Sequence, residues 1–312
     1  MQDYWLRGFE TRRVDAKEKR RMNWQEAFIE KSLLICALIA IIVVVSIFVF
    51  LFEQGASAFR EISPVEFLTG TSWQPTSSIN PEFGTVPLLY GTMVVTAIAI
   101  GISVPVGIMI AIYIAEVAHR TEKEILKPFV ELLAGVPSVI FGFFAMITLA
   151  SWIQQLTGTN SRLNALNGGL ILAIMVIPTI VSLAEDAITS VPKDYREAAI
   201  ALGATKWETI RTVVLPSCSS GILVAILLGF GRAIGETMAV LMATGNAANI
   251  NFNILDSVRT ITATIAIETP ESAFGSLHYN ALFALAALLF VITFGFNYLA
   301  SYVGKRLRRM GR

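Results

Sequence analysis

The sequence has few of the residues from which soluble active sites and metal centres are built. It contains two cysteines and two histidines, and only 15% of its residues are charged. Cys36 and Cys218 fall in or beside apolar segments without neighbouring ligands, so neither a disulfide framework nor a metal site is predicted. His119 and His278 are expected to be solvated loop residues. Walker A, GxGxxG and HExxH patterns are absent, so no catalytic residue and no nucleotide site of its own is predicted.

Apolar residues, by contrast, are abundant, at 54% of the 312 residues. They form six runs that each approach the roughly 20 residues needed to cross a bilayer. The predicted fold class is therefore an all-α membrane protein with six transmembrane helices. The predicted spans are Leu33–Phe52, Pro87–Ala115, Phe129–Ile153, Gly168–Ile188, Cys218–Thr244 and Asn280–Val303.

The first apolar run has two interpretations. Ala56-Ser57-Ala58 resembles a cleavage site, which would make the run part of a signal peptide. The run is about 20 residues long, however, and the apolar part of a signal peptide is usually shorter. We therefore interpret it as an uncleaved transmembrane helix.

Basic residues predict the orientation of the chain. Of the 24 Lys and Arg residues, 20 lie in the N-terminal arm, in segments 118–128 and 187–217, or in the C-terminal tail. The three alternate loops carry one each. The positive-inside rule then predicts that both termini and the segment 187–217 are cytoplasmic. Three acids near the predicted cytoplasmic boundary, Glu131, Glu185 and Asp186, are expected to reach water or a basic neighbour.

The runs and charges together divide the chain into four predicted segments. The segments are a basic cytoplasmic arm (1–32), the first transmembrane helix with an extracytoplasmic loop (33–82), a transmembrane core (83–304) and a basic cytoplasmic tail (305–312). The basic arm is either an amphipathic surface helix attracted to anionic membrane lipid or simply a topology signal.

The polar stretch Glu197–Pro216, EAAIALGATKWETIRTVVLP, separates two apolar runs. Ala198 and Ala199 give a short helix a small-residue face that can approach a partner closely. Gly203 can adopt positive φ and turn the chain, and the pair Leu215-Pro216 suits the first turn of the next helix. The alternative interpretation is an ordinary amphipathic connector.

Its Glu-Ala-Ala, Gly and Leu-Pro landmarks resemble the EAA loop of ABC importer permeases of type I. In that family the loop docks into a cleft on a cytoplasmic ATPase. The resemblance implies that Glu197, Ala198, Ala199, Gly203, Leu215 and Pro216 couple this chain to the ATPase. It also implies that ATP and Mg²⁺ bind to the partner ATPase, and that this chain binds no cofactor.

The fifth apolar run contains two ionisable residues, Arg232 and Glu236. On a continuous helix their separation of four residues would place both on one face. One interpretation is a self-neutralising ion pair that fixes helix packing. The other is a pathway cation for an anionic substrate, held by the carboxylate until substrate competes, because charges inside a membrane usually face a pore or partner. We favour the second.

Gly231 and Gly235 form a small-xxx-small step beside these charges. Such a step permits a close helix crossing or leaves backbone open to substrate. We predict helix packing, with a pore at a subunit interface.

Three segments narrow the resemblance to the phosphate-specific ABC permeases: FGTVPLLYGT from Phe83, ELLAGVPSVIFG from Glu131 and GRAIGETMAV from Gly231. These permeases come as two related subunits, and the last segment resembles PstC more than PstA. The resemblance implies that Arg232 and Glu236 serve phosphate passage. The implied partners are a PstA-like permease, two PstB-like ATPases and a PstS-like phosphate-binding protein, with no nucleic acid. The implied location is the cytoplasmic (inner) membrane of a bacterium or archaeon.

Two alternatives stay open at this stage. The substrate could be another oxyanion, such as sulfate or molybdate, because one arginine cannot distinguish oxyanions by charge alone. The chain could also be an ion-coupled secondary transporter or a membrane scaffold.

Overall fold

The computed structural model describes residues 16–77 and 79–310. Within that part of the chain the structure is mostly helical, with one two-stranded antiparallel sheet. Residues 1–15 of the basic N-terminal arm, which could form a surface helix, lie outside the described residues, and residues 16–32 belong to the first helix. The helices are α1 Ala16–Ala58, α2 Pro64–Thr69, α3 Val86–Ile112, α4 Arg120–Gly135, α5 Ser138–Phe144, α6 Ala150–Thr157, α7 Ala165–Thr189, α8 Lys193–Ala201, α9 Lys206–Thr209, α10 Leu215–Gly235, α11 Met238–Ala243, α12 Ile261–Glu268 and α13 Leu277–Met310; the strands are β1 Trp73–Gln74 and β2 Glu82–Phe83; π-helical turns are Tyr113–Val117, Ala145–Leu149 and Ile210–Val214.

Within residues 16–77 and 79–310, six helices are long and apolar enough to cross a membrane, so the predicted fold class and number of spans are confirmed. Each meets the length that a bilayer requires. The spans are Glu26–Ala58, Val86–Val117, Ser138–Thr157, Ala165–Thr189, Lys206–Gly235 and Leu277–Leu299.

The predicted start of the third span at Phe129 is wrong. Helix α4 ends at Gly135, and Val136 and Pro137 are extended, with ψ of 128° and 138°. A residue that precedes proline is driven out of the helical region by the proline ring, so the apolar run is interrupted there. The third span starts at Ser138, and α4 is a separate amphipathic helix without buried residues.

The predicted end of the fifth span at Thr244 is also wrong. Helix α10 ends at Gly235, Glu236 is extended with ψ of 134°, and the short α11 begins at Met238. The span starts earlier than predicted, because α9, a π-helical turn and α10 form one continuous helix from Lys206.

The described chain divides after Leu51 into two compact units. In the first, helix α1 presents apolar side chains that are mostly exposed. The second unit, from Phe52 onward, contains the buried core. The boundaries predicted at residues 32, 82 and 304 stay predictions.

Helix α7 forms the centre of the second unit and is the most buried of the six spans. Its residues Leu172, Val176 and Ile180 pack with residues of α3 and α10 in one apolar cluster. Gly229 of α10 allows a close approach to α7, because a Cβ atom there would lie 2.8 Å from Cγ1 of Ile180. Small residues at such crossings let membrane helices pack closely.

Helix α3 connects the two ends of this bundle. Its first residue, Val86, follows the β1–β2 hairpin, and we call that end the hairpin end. The π-helical turn after α3 contacts α8 through Glu116 and Arg196, and we call this second end the coupling end. The Glu197–Pro216 segment begins at the coupling end.

A tight contact at Gly91 of α3 gives a test of this packing. A Cβ atom at Gly91 would lie 2.3 Å from the carbonyl oxygen of Arg259, whereas one at Gly101 in the same helix meets nothing within 4 Å. We expect Gly91→Ala to lower the unfolding free energy by about 1–3 kcal/mol because of overpacking. Gly101→Ala should be neutral or slightly stabilising. Thermal unfolding of the isolated chain in detergent measures both, and equal unfolding temperatures would contradict the packing.

Candidate coupling loop and substrate pathway

The first half of the Glu197–Pro216 segment folds as its sequence predicts. Glu197, Ala198 and Ala199 lie in helix α8, and Ala199 is buried while the other two are exposed. Gly203 has φ of 90° and turns the chain after the helix. That backbone conformation is strained for residues with a side chain, which explains the glycine.

The second half of the segment is a continuous helix with one irregular turn. Thr205 and Glu208 form a capping box that starts α9, with Thr205 N donating to the Glu208 carboxylate at 2.8 Å. Pro216 is the second residue of α10, but the helix is continuous from Lys206, so the prediction that this proline starts a new helix is wrong. In the π-helical turn that precedes it, Leu215 N donates to the carbonyl of Ile210. The wider turn lets the helix continue past Pro216, which has no backbone N–H to donate.

A buried ion pair, which the sequence analysis missed, anchors the segment to the transmembrane core. Arg196 Nη2 donates to Glu116 Oε1 at 2.6 Å and to the carbonyl of Ile188 at 2.9 Å. The side chains of Arg196 and Glu116 are 20% and 11% exposed. Because the two are 80 residues apart in sequence, no local pattern could have paired them. The pair joins α8 to the end of the second span.

Four exposed apolar side chains lie in or next to the same segment, and we call this set the coupling surface. It consists of Tyr195, Ile200, Leu202 and Trp207, and the exposed fraction of Leu202 reaches 90%. Apolar residues in this number on a polar segment are typical of a partner interface.

A second ion pair lies at the same end of the bundle. Lys127 of α4 lies 2.7 Å from a carboxylate oxygen of Glu185 and 3.5 Å from one of Asp186, at the end of α7. The hydrogen bond to Glu185 raises the pKa of Lys127 above its ordinary value, so the ammonium stays charged at neutral pH. The expectation that these boundary acids reach water or a basic neighbour is confirmed, and Glu131 is exposed.

Arg232 lies in the last turn of α10 and is half-buried within the fifth span. Its Nη1 donates a hydrogen bond of 2.7 Å to the hydroxyl of Thr179 on α7. Among the described residues, no carboxylate forms an ion pair with it. The negative end of the α10 dipole favours a cation at this position.

Glu236 is not on the helical face of Arg232, so the predicted ion pair on one continuous helix is wrong. The helix ends between them, and the Glu236 carboxylate instead accepts a hydrogen bond from the backbone N–H of Ala239 at 3.3 Å. Its carbonyl accepts a bond of 2.8 Å from the hydroxyl of Thr262 in α12. Glycine at Gly235 was the available signal that the helix ends here.

Gly231 and Gly235 do not form a tight helix crossing within this chain. A Cβ atom at Gly235 meets nothing within 4 Å, and one at Gly231 has Asn297 Oδ1 at 3.8 Å as its nearest neighbour. A packing role for the two glycines therefore stays a prediction for a second subunit.

Comparison with known proteins places this geometry in a family. Residues 103–309 match the model of the binding-protein-dependent transport system inner membrane component. The chain belongs to this family. It is 38% identical over 273 residues to a probable ABC transporter permease, YqgH, of Bacillus subtilis, covering 87% of this chain and 88% of the relative. It is 35% identical to the phosphate transport system permease protein PstC of Mesorhizobium japonicum, covering 92% of each chain.

Solved structures agree on the fold. A bacterial ABC transporter involved in alginate import matches with a TM-score of 0.60 at 16% identity, covering 91% of this chain and 99% of that one. The MetNI methionine ABC transporter matches with a TM-score of 0.54 at 17% identity, covering 72% and 94%. The fold is that of type I ABC importer permeases.

Family membership decides between the two classes of function that the sequence left open. The chain is a multi-pass membrane permease subunit of an ABC transporter and not an enzyme. The interpretation as a secondary transporter or scaffold is therefore wrong. Such a permease implies an ATPase and a binding protein as partners.

A buried carboxylate at the hairpin end contacts residues from several segments. The sequence analysis did not predict it. Glu268 of α12 accepts hydrogen bonds from Trp73 Nε1 at 3.0 Å and from Arg259 Nη1 at 2.8 Å, and His278 Nε2 lies 2.9 Å from it. The expectation that His278 is solvated is wrong, since its side chain is only 15% exposed. The cluster ties the hairpin, α12 and α13 together.

Glu268→Gln tests this cluster. The amide removes the negative charge and leaves Arg259 without its carboxylate, so we expect the unfolding free energy to fall by about 2 kcal/mol. The control is Glu271→Gln, one turn away and exposed, which should change stability by less than about 0.5 kcal/mol. Thermal unfolding of the purified chain compares the two, and an equal effect of both changes would show that the cluster is not stabilising.

Proposed function

We propose that this chain is the PstC-type permease subunit of an ATP-driven importer of inorganic phosphate. The observation that carries the proposal is the guanidinium of Arg232, which lies inside a span without a carboxylate partner among the described residues. A cation in a membrane is costly unless it serves a pathway or a partner. An anionic substrate would be attracted to it, and phosphate permeases among the relatives favour phosphate.

Phosphate suits this site because its oxygens accept charge-assisted hydrogen bonds from a planar guanidinium. Sulfate and molybdate share that chemistry, so the charge of Arg232 alone does not select between them. Glu236 lies at the helix break next to the arginine, and its carboxylate would repel an anion that approached it. We propose that both residues line the pathway, the arginine as the attractive group and the glutamate as a group that hastens release.

Coupling to ATP hydrolysis would pass through the coupling surface. We propose that this surface docks on a PstB-like ATPase, which binds ATP and Mg²⁺. Movement of α8 would reach the second span through the Arg196–Glu116 pair, and it would reach the fifth span through the continuous helix from Lys206. A PstA-like subunit would complete the pathway, and a PstS-like protein would deliver phosphate.

We propose a membrane orientation that is consistent with this arrangement. The coupling end and both termini would face the cytoplasm, as the basic residues predict, and the membrane would be the inner membrane of a prokaryote. The hairpin end would then face the binding protein.

Arg232→Gln tests the pathway role. We expect it to abolish uptake of labelled phosphate into vesicles that contain the reconstituted complex, because the amide keeps much of the side chain's reach but has no charge. Assembly with the ATPase should be unchanged, and sulfate as a competitor reports selectivity in the unmodified complex. Normal uptake by the assembled variant would reject the pathway role.

Leu202→Asp tests the coupling surface. Leu202 is 90% exposed in the isolated chain, so the change should leave folding intact and weaken ATPase binding by at least tenfold, because a charge is buried in an apolar contact. The matched control is Ile79→Asp, an 89% exposed aliphatic residue between β1 and β2 at the hairpin end. Co-purification of the ATPase measures both; retention by the Leu202 variant would count against docking there.

A further inference from the structure

Thr179 is the residue that contacts Arg232 from the neighbouring span. Its hydroxyl accepts the 2.7 Å hydrogen bond from Arg232 Nη1, and both side chains are half-buried. We propose that Thr179 positions the guanidinium in the pathway as a neutral acceptor, which orients the cation without cancelling its charge. This inference rests on the proposed function of Arg232.

The backbone around Thr179 holds its hydroxyl in a fixed place. Its neighbours in sequence, Pro178 and Ile180, are both buried, and Ile180 has no exposed surface. Ile180 also packs against Gly229 of α10, three residues before Arg232, at the close crossing described above. The two helices are therefore held together one turn away from the hydrogen bond, and rotation of either would separate its partners.

The nature of the acceptor distinguishes Arg232 from two other arginines of the chain. Arg196 and Arg259 are held by the carboxylates of Glu116 and Glu268, at 2.6 and 2.8 Å. Those pairs are close to neutral and connect structural segments. A hydroxyl carries no net charge, so Arg232 keeps its full attraction for an anion while it loses rotamer freedom. An anion that arrives does not have to displace a competing carboxylate.

The consequence is expected in the maximal rate of uptake. The binding protein presents phosphate to the permease, so the KM for uptake is set mainly by that protein. Loss of the hydroxyl releases the guanidinium to other rotamers, and phosphate must then order it during passage. A hydrogen bond to a charged group corresponds to roughly a tenfold change in rate.

The experiment compares the unmodified complex with three variants. Each is reconstituted with ATPase, second permease and binding protein, and labelled inorganic phosphate is the probe. Thr179→Val removes the hydroxyl at nearly constant shape and should lower the maximal uptake rate roughly tenfold with an unchanged KM. Thr179→Ser keeps the acceptor and should restore most of the rate. Thr293→Val is the matched control, because among the described residues the hydroxyl of Thr293 bonds to carbonyls of its own helix, at 2.9 and 3.0 Å.

A fourth variant, Thr179→Asp, tests whether neutrality matters. A carboxylate at this position would pair with Arg232, so uptake should fall below that of the valine variant and approach that of Arg232→Gln. Rapid uptake by the aspartate variant would overturn the neutral-acceptor role. Where the valine variant assembles poorly, Thr179→Ala provides the same removal of the hydroxyl with less bulk.

The outcomes separate the two levels of the argument. If Arg232→Gln transports normally, the proposed pathway itself is wrong. If Arg232→Gln fails but Thr179→Val retains the full rate, only the positioning role is overturned. A serine variant as slow as the valine variant shows that packing of the Thr179 methyl group, and not its hydroxyl, matters, which also overturns the inference.

Discussion

The close contact of α7 with α10 is the interaction on which the rest of the structure depends. In a membrane the apolar surface of a helix gains little from leaving lipid, so association relies on tight packing and on hydrogen bonds between helices. Gly229 supplies the first and the Arg232–Thr179 bond the second. Because α7 also packs against α3, one helix connects the pathway residues with the span that begins at the hairpin.

The charged contacts at the two ends of the bundle differ in kind from the contact that Arg232 makes. At the two ends of the bundle, carboxylates neutralise arginine or lysine, and the two pairs at the coupling end join residues 58 and 80 positions apart in sequence. In the proposed pathway, Arg232 is held by a hydroxyl and forms no ion pair among the described residues. Partner removal at the ends leaves a half-buried charge without compensation, which is costly. Loss of the hydroxyl in the pathway leaves the charge where it was and affects its orientation.

Much of this could be predicted from the sequence, and the failures have physical reasons. Apolar length predicted six spans, and the helix and glycine turn of the Glu197–Pro216 segment followed from local chemistry, whereas the helix continues through Pro216. Hydrophobicity could not locate the start of the third span or the end of the fifth. Apolar residues lie on both sides of Pro137 and of Gly235, but the helix is interrupted at both places. The partners of Arg196 and Arg232, and the contact of Glu268 with Trp73, depend on tertiary packing between segments that are distant in sequence. Those of Glu268 with Arg259 and His278 depend on how the chain folds back around α12. The helical pairing of Arg232 with Glu236 failed because it assumed a continuous helix.

The π-helical turn at Ile210–Val214 has a consequence for how the helix transmits movement. An α-helix rotates by about 100° per residue, and a π-turn accommodates one additional residue. The turn thus sets the azimuth of Trp207 relative to the span that carries Arg232. Deletion of one residue there would leave the composition and hydropathy of the helix nearly unchanged. It would nevertheless rotate Trp207, which belongs to the proposed ATPase contact, by about 100° around the helix axis. The number of residues in this turn therefore matters as much as their identity.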